Sequence, residues 1–403
     1  TPSNSSAASD VYKRQALNTH KDLWEYLKFR KENDEWLNVY INEMGAVGIP
    51  NEPLFIPQYC SGITLKKNGF TVDIPDIDYD NPENQECIKD TGLFLVFPYK
   101  SKLIAYPTRN IAYNTICMRA DDACGTMLRF DVKPSKSILP INEKAERLTR
   151  DYLLYSDNCK ILLRDGKVSA ALSKDYAILP ADELLEKLEA QLKKDHPDFT
   201  YAGGHVNHEF LVAEYMLNDI LMEESFRQAL NNAGADISTL KAGIRFSTSD
   251  TGSSSVFANV FYETNGIRTS LGDGIVMKHV GDASIEKFGN AMENLGMILK
   301  ESEERIEQLG NIDIKDVAGC VEKIREVYTF LPKTVAEKVE EDLRIQFPNG
   351  GTAVDVYLAL NDIVERHSKI NVLSPTRYLN LCEQVAKLMK LPFAKIDAGE
   401  SWN

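Results

Sequence analysis

The spacing of apolar positions changes character once along the chain. Up to about residue 282, short apolar runs alternate with helical stretches. From Ser284 onward, apolar residues recur at helical spacing almost throughout. Ala16–Val47 is predicted helical, with Trp24, Leu27, Trp36, Leu37, Tyr40 and Ile41 at roughly helical intervals, and Pro50, Pro53 and Pro57 break it. Ile63–Val72 reads as a hairpin through Asn68-Gly69, and Asp73–Glu86 as an acidic loop. Strands are expected at Leu93–Phe97, Leu103–Tyr106, Met127–Val132 and Val168–Leu172, with a short helix at Asn142–Leu154. A capped helix, Ala181–Lys194, carries Leu184, Leu185, Leu188 and Leu192 on one face. Glu209–Leu217 reads as a strand, and Ile220–Asn232 as a helix ended by Gly234.

The clearest β segment follows. Ala242–Ser247 and Val256–Glu263 flank the polar loop Ser249–Ser255. Asn265-Gly266 turns the chain into Ile267–Leu271, and Gly272-Asp273-Gly274 turns it again into Ile275–Val280. These read as a four-strand antiparallel meander. The predicted C-terminal helices are Ile285–Leu309, Ile314–Phe330, Lys333–Ile345, Ala353–His367 and Pro375–Lys390, punctuated by Pro and Gly. The expected class is α+β: an antiparallel β-meander core with packed helices, followed by an all-helical C-terminal region. The change near Asp282 suggests a core domain over 16–282 and a helical domain over 283–403. Residues 1–15 are set aside, because Ser5–Gln15 reads as translated adapter or cloning remnant.

Composition narrows the setting. Nothing approaches the roughly 18 consecutive apolar residues of a membrane helix. The seven Cys are widely spaced and form no CxxC, which fits reduced thiols in a bacterial cytoplasm and no zinc ribbon. The net charge is −14, yet residues 100–174 hold fourteen basic and eight acidic residues. That stretch is therefore +6, with −20 elsewhere. It is the one compositional pointer to an anionic partner, against the alternative of basic faces that never converge.

Candidate chemistry is sparse. Asp76, Asp78 and Asp80 have the first spacings of a calcium loop, but Asn81 and Cys87 stand where Gly and Glu are needed. His205, His208 and Glu209 are weak metal candidates: on an extended segment 205 and 209 share a face, 208 points away, and no third ligand is signalled nearby. The Ser249–Ser255 loop is no nucleophile elbow, although Gly252 leaves an anion cradle open as a reading beside that of a simple connection. His279 could be a base, a phosphate contact or a packed strand-end residue. No phosphate- or dinucleotide-binding glycine motif is present, and no cofactor is called for. Aromatic and basic residues interleave from Phe97 to Arg109, as on sheets that stack and neutralise single strands.

Three features, from about Lys167 to His279, resemble an uncharacterised family of phage and plasmid proteins, domain of unknown function 932. They are the strand, Tyr and short helix of residues 168–185, the strand–Ser/Gly loop–strand unit of Arg245–Tyr262, and Asn265-Gly266 followed by His279 and Gly281. Residues 352–367 look like that family's closing helix. A Cys expected before the Asn-Gly turn is replaced by Glu263-Thr264. The resemblance implies a mobile-genetic-element setting, near functions that handle single-stranded DNA, rather than a reaction.

The leading expectation is a non-catalytic accessory protein that binds single-stranded DNA in replication, annealing or recombination, as a possible homo-oligomer. Its expected contacts are Lys100, Lys102, Tyr106, Arg109, Arg119, Arg129, Lys133 and Lys136, with Arg245, Arg268 and Lys278 on the meander. The alternatives are an acidic protein-interaction or anti-defence factor with a host or phage partner, and a metal-dependent hydrolase using His205, His208, Glu209 or His279.

Overall fold

A computed structural model describes residues 15–48, 72–73, 80–100, 102–119, 148, 157–235, 237–264, 267–370 and 375–402. The class is α+β, with antiparallel sheets and a helical C-terminal region. Strand β1 (Gln15–Leu17) leads into helix α1 (His20–Asn33), which starts at a capping box: the Thr19 hydroxyl accepts from the Asp22 N–H, and the Asp22 carboxylate accepts from the Thr19 N–H. The helix expected to continue to Val47 stops at Asp34. There the chain turns extended into β2 (Glu35–Tyr40), and β3 (Gly45–Gly48) follows. Trp36, Leu37 and Tyr40 mimic helical spacing, but a segment rich in aromatic and β-branched residues is decided by the strand beside it. That strand, Asn158–Arg164, lies about 120 residues away in sequence, with Trp36 opposite Leu162.

Strand β4 (Val72–Asp73) and helix α2 (Pro82–Asp90) precede a hairpin, β5 (Leu93–Tyr99) and β6 (Lys102–Pro107), and helix α3 (Asn110–Arg119). The helix over 82–90 occupies the end of the expected acidic loop, and residues 74–79 lie outside the described residues. So do most of the predicted hairpin at 63–72, the predicted strand at 127–132 and, except for Leu148, the predicted helix at 142–154. Strands β7 (Asn158–Arg164) and β8 (Lys167–Ser173) complete a three-stranded sheet in the order β2-β7-β8. A four-stranded sheet, β3-β5-β6-β4, lies beside it. The two enclose a core of Val39, Phe97, Ala112, Ile116, Ile161 and Val168.

Helix α4 (Ala181–Asp195), strands β9 (Thr200–Val206) and β10 (Leu211–Met216), helix α5 (Ile220–Asn232) and strands β11 (Lys241–Thr248), β12 (Val256–Thr264) and β13 (Ile267–Met277) build the main body. The six-stranded antiparallel sheet has the order β1-β9-β10-β11-β12-β13. Gln15, set aside as leader, pairs with Val206 in it. The expected turn at Gly272-Asp273-Gly274 is instead a bulge inside one long strand. Val260 pairs with Leu271 and Ala258 with Ile275, so two additional residues are absorbed there. Gly274 makes this geometry accessible, since a Cβ there would lie 2.8 Å from the Ala258 carbonyl oxygen.

The predicted helix Ile285–Leu309 is split into α6 (Ile285–Met292) and α7 (Leu295–Gly310). Helix α6 packs on α4 and α7 on α5, so one straight rod would not serve both. A short pair of strands, β14 (Asp313–Ile314) and β15 (Gly351–Thr352), brackets α8 (Val317–Val327) and α9 (Lys333–Gln346). Helices α10 (Ala353–Ile370), α11 (Pro375–Leu388) and α12 (Phe393–Ala398) follow. Helix α10 serves the sheet's edge strand directly: the Tyr357 hydroxyl donates to the Ser270 carbonyl at 2.5 Å, and the Ser270 N–H donates to Asn361 Oδ1 at 3.2 Å.

The change of element type at Asp282 is not a break in packing. One core runs from Leu17 and Leu188 through Phe246 and Tyr262 to Phe288, Val321, Tyr357 and Ile396. No helix of the described residues is long and apolar enough to cross a membrane.

Candidate functional site

Among the described residues, three of the expected nucleic-acid contacts, Arg109, Arg245 and Arg268, are buried or engaged internally. Arg245 is only 3% exposed and lies between the rings of Phe261 and Tyr378. Its Nε donates to Glu214 Oε1 at 2.7 Å, while Arg268 Nη1 donates to Glu214 Oε2 at 2.6 Å and Arg268 Nε to Glu263 at 2.9 Å. The two arginines are thus brought together, but around an internal carboxylate. Burial alone would raise the Glu214 pKa, yet the two guanidiniums outweigh it and hold the carboxyl at about 2. Arg109 is buried at the start of α3.

Other basic residues of the +6 stretch are engaged as well. Arg164 binds Asp34 and Asp250, Lys174 lies 3.0 Å from Asp157, and Lys160 donates to the Tyr176 carbonyl. Lys100 and Lys278 are exposed. Lys100 sits at the tip of the β5–β6 hairpin with its Nζ 4.5 Å from the centre of the Tyr99 ring, and Tyr106 is half-buried against Phe97. Lys102 and Arg119 are described only as backbone, and Arg129, Lys133 and Lys136 lie outside the described residues.

No group of three His, Cys, Asp or Glu among the described residues is arranged to hold a metal. His205 lies on β9 opposite Val212, whereas His208 and Glu209 fall in the turn before β10, with His208 Nε2 3.9 Å from Glu86.

The structure does bring together parts of three features that the sequence singled out. Tyr176, the Ser249–Ser255 loop and His279 meet at a cavity of about 530 Å³ between the three- and six-stranded sheets and helix α11. The loop is built around Ser249. Its hydroxyl donates to the Glu209 carbonyl at 2.6 Å and accepts from the N–H groups of Thr251 and Ser253. Those two N–H groups are therefore unavailable to an anion, which weakens the anion-cradle reading. The Tyr176 hydroxyl donates to the Ser249 carbonyl at 2.8 Å, tying the loop to the end of the three-stranded sheet.

A short antiparallel bridge joins Tyr176 to Val280, and the Ala177 N–H donates to the His279 carbonyl at 2.8 Å. This clasp sets the His279 ring against Tyr176 with centroids 5.0 Å apart and planes 1° from parallel. Trp36 continues the stack from Tyr176, at 6.0 Å and 26°. His279 Nδ1 lies 3.1 Å from the Ala177 carbonyl oxygen. A carbonyl only accepts, so in the neutral ring the proton sits on Nδ1 and the lone pair on Nε2. The residue is 5% exposed and Nε2 has no hydrogen-bond partner. Burial lowers the His279 pKa, which favours the neutral ring at pH 7.

Helix α11 contributes Asn380 and Glu383 to the cavity, and burial raises the pKa of the Glu383 carboxyl. Phe257 and Val276 supply apolar wall, and no Lys or Arg is among the described lining residues. The cavity therefore offers aromatic rings, hydroxyls, an amide and a carboxyl, but no cation for a phosphate among the described lining residues. Amphipathic patterning had marked Trp36 only as helical core and residues 375–390 only as a helix. Their place at the site had no local signal, because it depends on pairings far apart in sequence.

A second cavity, of about 220 Å³, lies by α1 around Arg30, Arg164, Asp34 and Asp250. Its two arginines are already paired: Arg30 and Arg164 both reach Asp34, and Arg164 also reaches Asp250.

No protein-family model, curated protein or solved structure matches the chain.

Proposed function

We propose that this protein binds single-stranded nucleic acid, DNA in the first instance, by seating one unstacked base in the cavity at His279, without chemistry on the base. The observation that carries the reading is the Trp36–Tyr176–His279 stack, whose last two rings line the cavity. A flat, hydrogen-bonding ring is the ligand class that extends such a stack. Base–aromatic stacking contributes about 1–3 kcal/mol per base. A volume of about 530 Å³ falls in the ordinary range for small-ligand pockets. The exposed Lys278 is adjacent to His279 in the chain, and Lys100 over Tyr99 offers a second basic–aromatic contact. The motifs that meet here are those of the phage and plasmid resemblance, and the proposed role is support of replication or recombination on a mobile element.

Filter binding of single- and double-stranded DNA at ~50 mM salt tests the reading, electrostatic contacts being strongest there. Single strands should be retained in preference to duplex. Affinity should fall with salt at about −0.7 per phosphate contact, giving a shallow total slope because Arg245 and Arg268 are consumed internally. Absence of any single-strand binding would remove this function and favour the protein-partner reading, which the net charge of −14 supports.

A further inference from the structure

We propose that His20 is a proton-operated latch: neutral, it is held by Trp24 within α1, and protonated, it ties the first turn of α1 to Glu189 of α4.

The argument is one of hydrogen-bond polarity at a single nitrogen. The Trp24 indole N–H donates to His20 Nε2 at 2.9 Å, and Glu189 Oε1 lies 2.8 Å from the same Nε2. An indole N–H only donates and an ionised carboxylate only accepts, so one nitrogen cannot satisfy both neighbours. In the neutral ring that accepts from Trp24, the proton sits on Nδ1 and the Nε2 lone pair is turned on a carboxylate, which repels it. A proton taken from solvent onto Nε2 converts that contact into a charge-assisted hydrogen bond. The Trp24 N–H then loses its acceptor and, the indole being only half-buried, turns to water. His20 and Trp24 are four residues apart on one helix, so their bond lies within α1. Glu189 belongs to α4, so the protonated ring joins two elements 169 residues apart in sequence.

The surroundings make Glu189 a fixed anchor. Its side chain is 17% exposed, and its Oε1 also accepts from the Tyr215 hydroxyl of β10 at 2.7 Å. His20 stands edge-on to Tyr201 of β9, with ring centroids 5.8 Å apart. The titratable groups facing the imidazole are thus Glu189 from α4, Tyr201 from β9 and Tyr215 from β10. Around them, Glu186 and Lys193 lie one turn either side of Glu189 and are exposed, and Glu214 is held by Arg245 and Arg268. On α1 itself, Asp22 is committed to Thr19 and Lys21 to Glu25. The rest of α1 is docked by Leu23 and Leu27 in the core and by the pairs Lys31–Asp182 and Arg30–Asp165. None of these contacts includes an imidazole, the group whose charge changes between pH 8 and 5, so over that range the device acts on the first turn.

Two-dimensional ¹H–¹⁵N NMR of the full chain provides the test, because the protein has three tryptophans, Trp24, Trp36 and Trp402, and Trp24→Phe identifies the Trp24 indole signal. Between pH 8 and 5 that proton should move upfield in one step as its hydrogen bond to His20 is lost. His20→Gln should abolish the step; the side chain is 49% exposed, so the change disturbs no core packing. Glu189→Gln keeps an acceptor for Tyr215 but leaves the imidazolium without its carboxylate, and should move the step to lower pH. The Leu23 amide, which donates to the Thr19 carbonyl in the first turn, should be severalfold better protected from hydrogen exchange at pH 5.5 than at pH 8, once corrected for intrinsic exchange rates. That gain should be absent from both variants. Circular dichroism confirms that each variant is folded. A Trp24 signal that does not move, or that moves equally in His20→Gln, overturns the proposal. A step left in place by Glu189→Gln, or a first turn no better protected in acid, also overturns it, since α4 would then not be the partner.

Discussion

His279 lies flat on Tyr176, with ring centroids 5.0 Å apart, and its Nδ1 is 3.1 Å from the carbonyl of Ala177, the next residue after its stacking partner. One dipeptide therefore sets both the plane and the tautomer of the imidazole. Burial lowers the His279 pKa below its ordinary 6.5, although the Ala177 carbonyl and Asp250 both pull it back up. The ionisable groups around the ring are Tyr176, Asp250 across the loop and Glu383 from α11. Protonation would convert Nε2 from acceptor to donor. The stability of the natural protein should accordingly be constant above pH 6.5 and fall as pH drops below it, while His279→Phe should show a flatter profile. Urea denaturation at a series of pH values from 8 to 5 measures this, and identical profiles for the two proteins would count against the assignment. The stability sign agrees: the unfolded chain takes up the proton first, so this residue's contribution is complete above 6.5 and declines on acidification.

Tyr176 has two separable roles. Its ring carries the stack, and its hydroxyl holds the Ser249 carbonyl at 2.8 Å. Tyr176→Phe should keep the stack and lower stability by about 1–3 kcal/mol, because a buried carbonyl loses its donor. Tyr176→Ala should in addition weaken single-strand binding severalfold. Urea denaturation read beside anisotropy distinguishes the two roles. A Phe variant as defective in binding as the Ala variant would show that the loop anchor, not the ring, matters.

Glu214 joins Arg245 and Arg268 within the main sheet. Glu214→Ala leaves the fully buried Arg245 without its carboxylate, and breaking such a pair costs about 3–5 kcal/mol. The folded carboxyl is held at about 2 against an ordinary 4.5, so its contribution is complete above pH 4.5 and lost as pH falls toward 2. The stability difference between the natural protein and the Ala variant should therefore shrink on acidification below 4.5. A difference independent of pH, or under 1 kcal/mol at pH 7, would mean that the guanidinium finds another partner.

Residues 283–403 should not be removable. Phe288 packs edge-on against Phe246 at 6.0 Å, and α6, α7, α10 and α11 all contact β13. A chain ending at Asp282 would expose the apolar face of the sheet, including Val260, Tyr262 and Leu271. It should be insoluble, or soluble without a cooperative unfolding transition. A soluble truncated protein with a sharp urea midpoint would restore the domain boundary suggested by composition.

Where local sequence and neighbours agree, the elements were legible. Ile220–Asn232 was located to the residue because Asp219 caps it and apolar residues repeat down one face. The strands flanking the Ser249–Ser255 loop were located to within a residue or two by alternation. The α+β class and the helical C-terminal region follow from the same periodicities. Periodicity failed where the deciding partner is remote. Glu35–Tyr40 has helical spacing but pairs with Asn158–Arg164, and Gly272-Asp273-Gly274 has turn composition but becomes a bulge because β12 runs on beside it. The site divides in the same way. Sequence by itself singled out Tyr176, the serine loop and His279 as separate local motifs, and marked Arg245 and Arg268 as charges. Only tertiary structure decided that the first three meet at one cavity while the two arginines face Glu214. A side chain's charge is written in its own identity, but its partner is chosen by strand register and helix packing across tens to hundreds of residues.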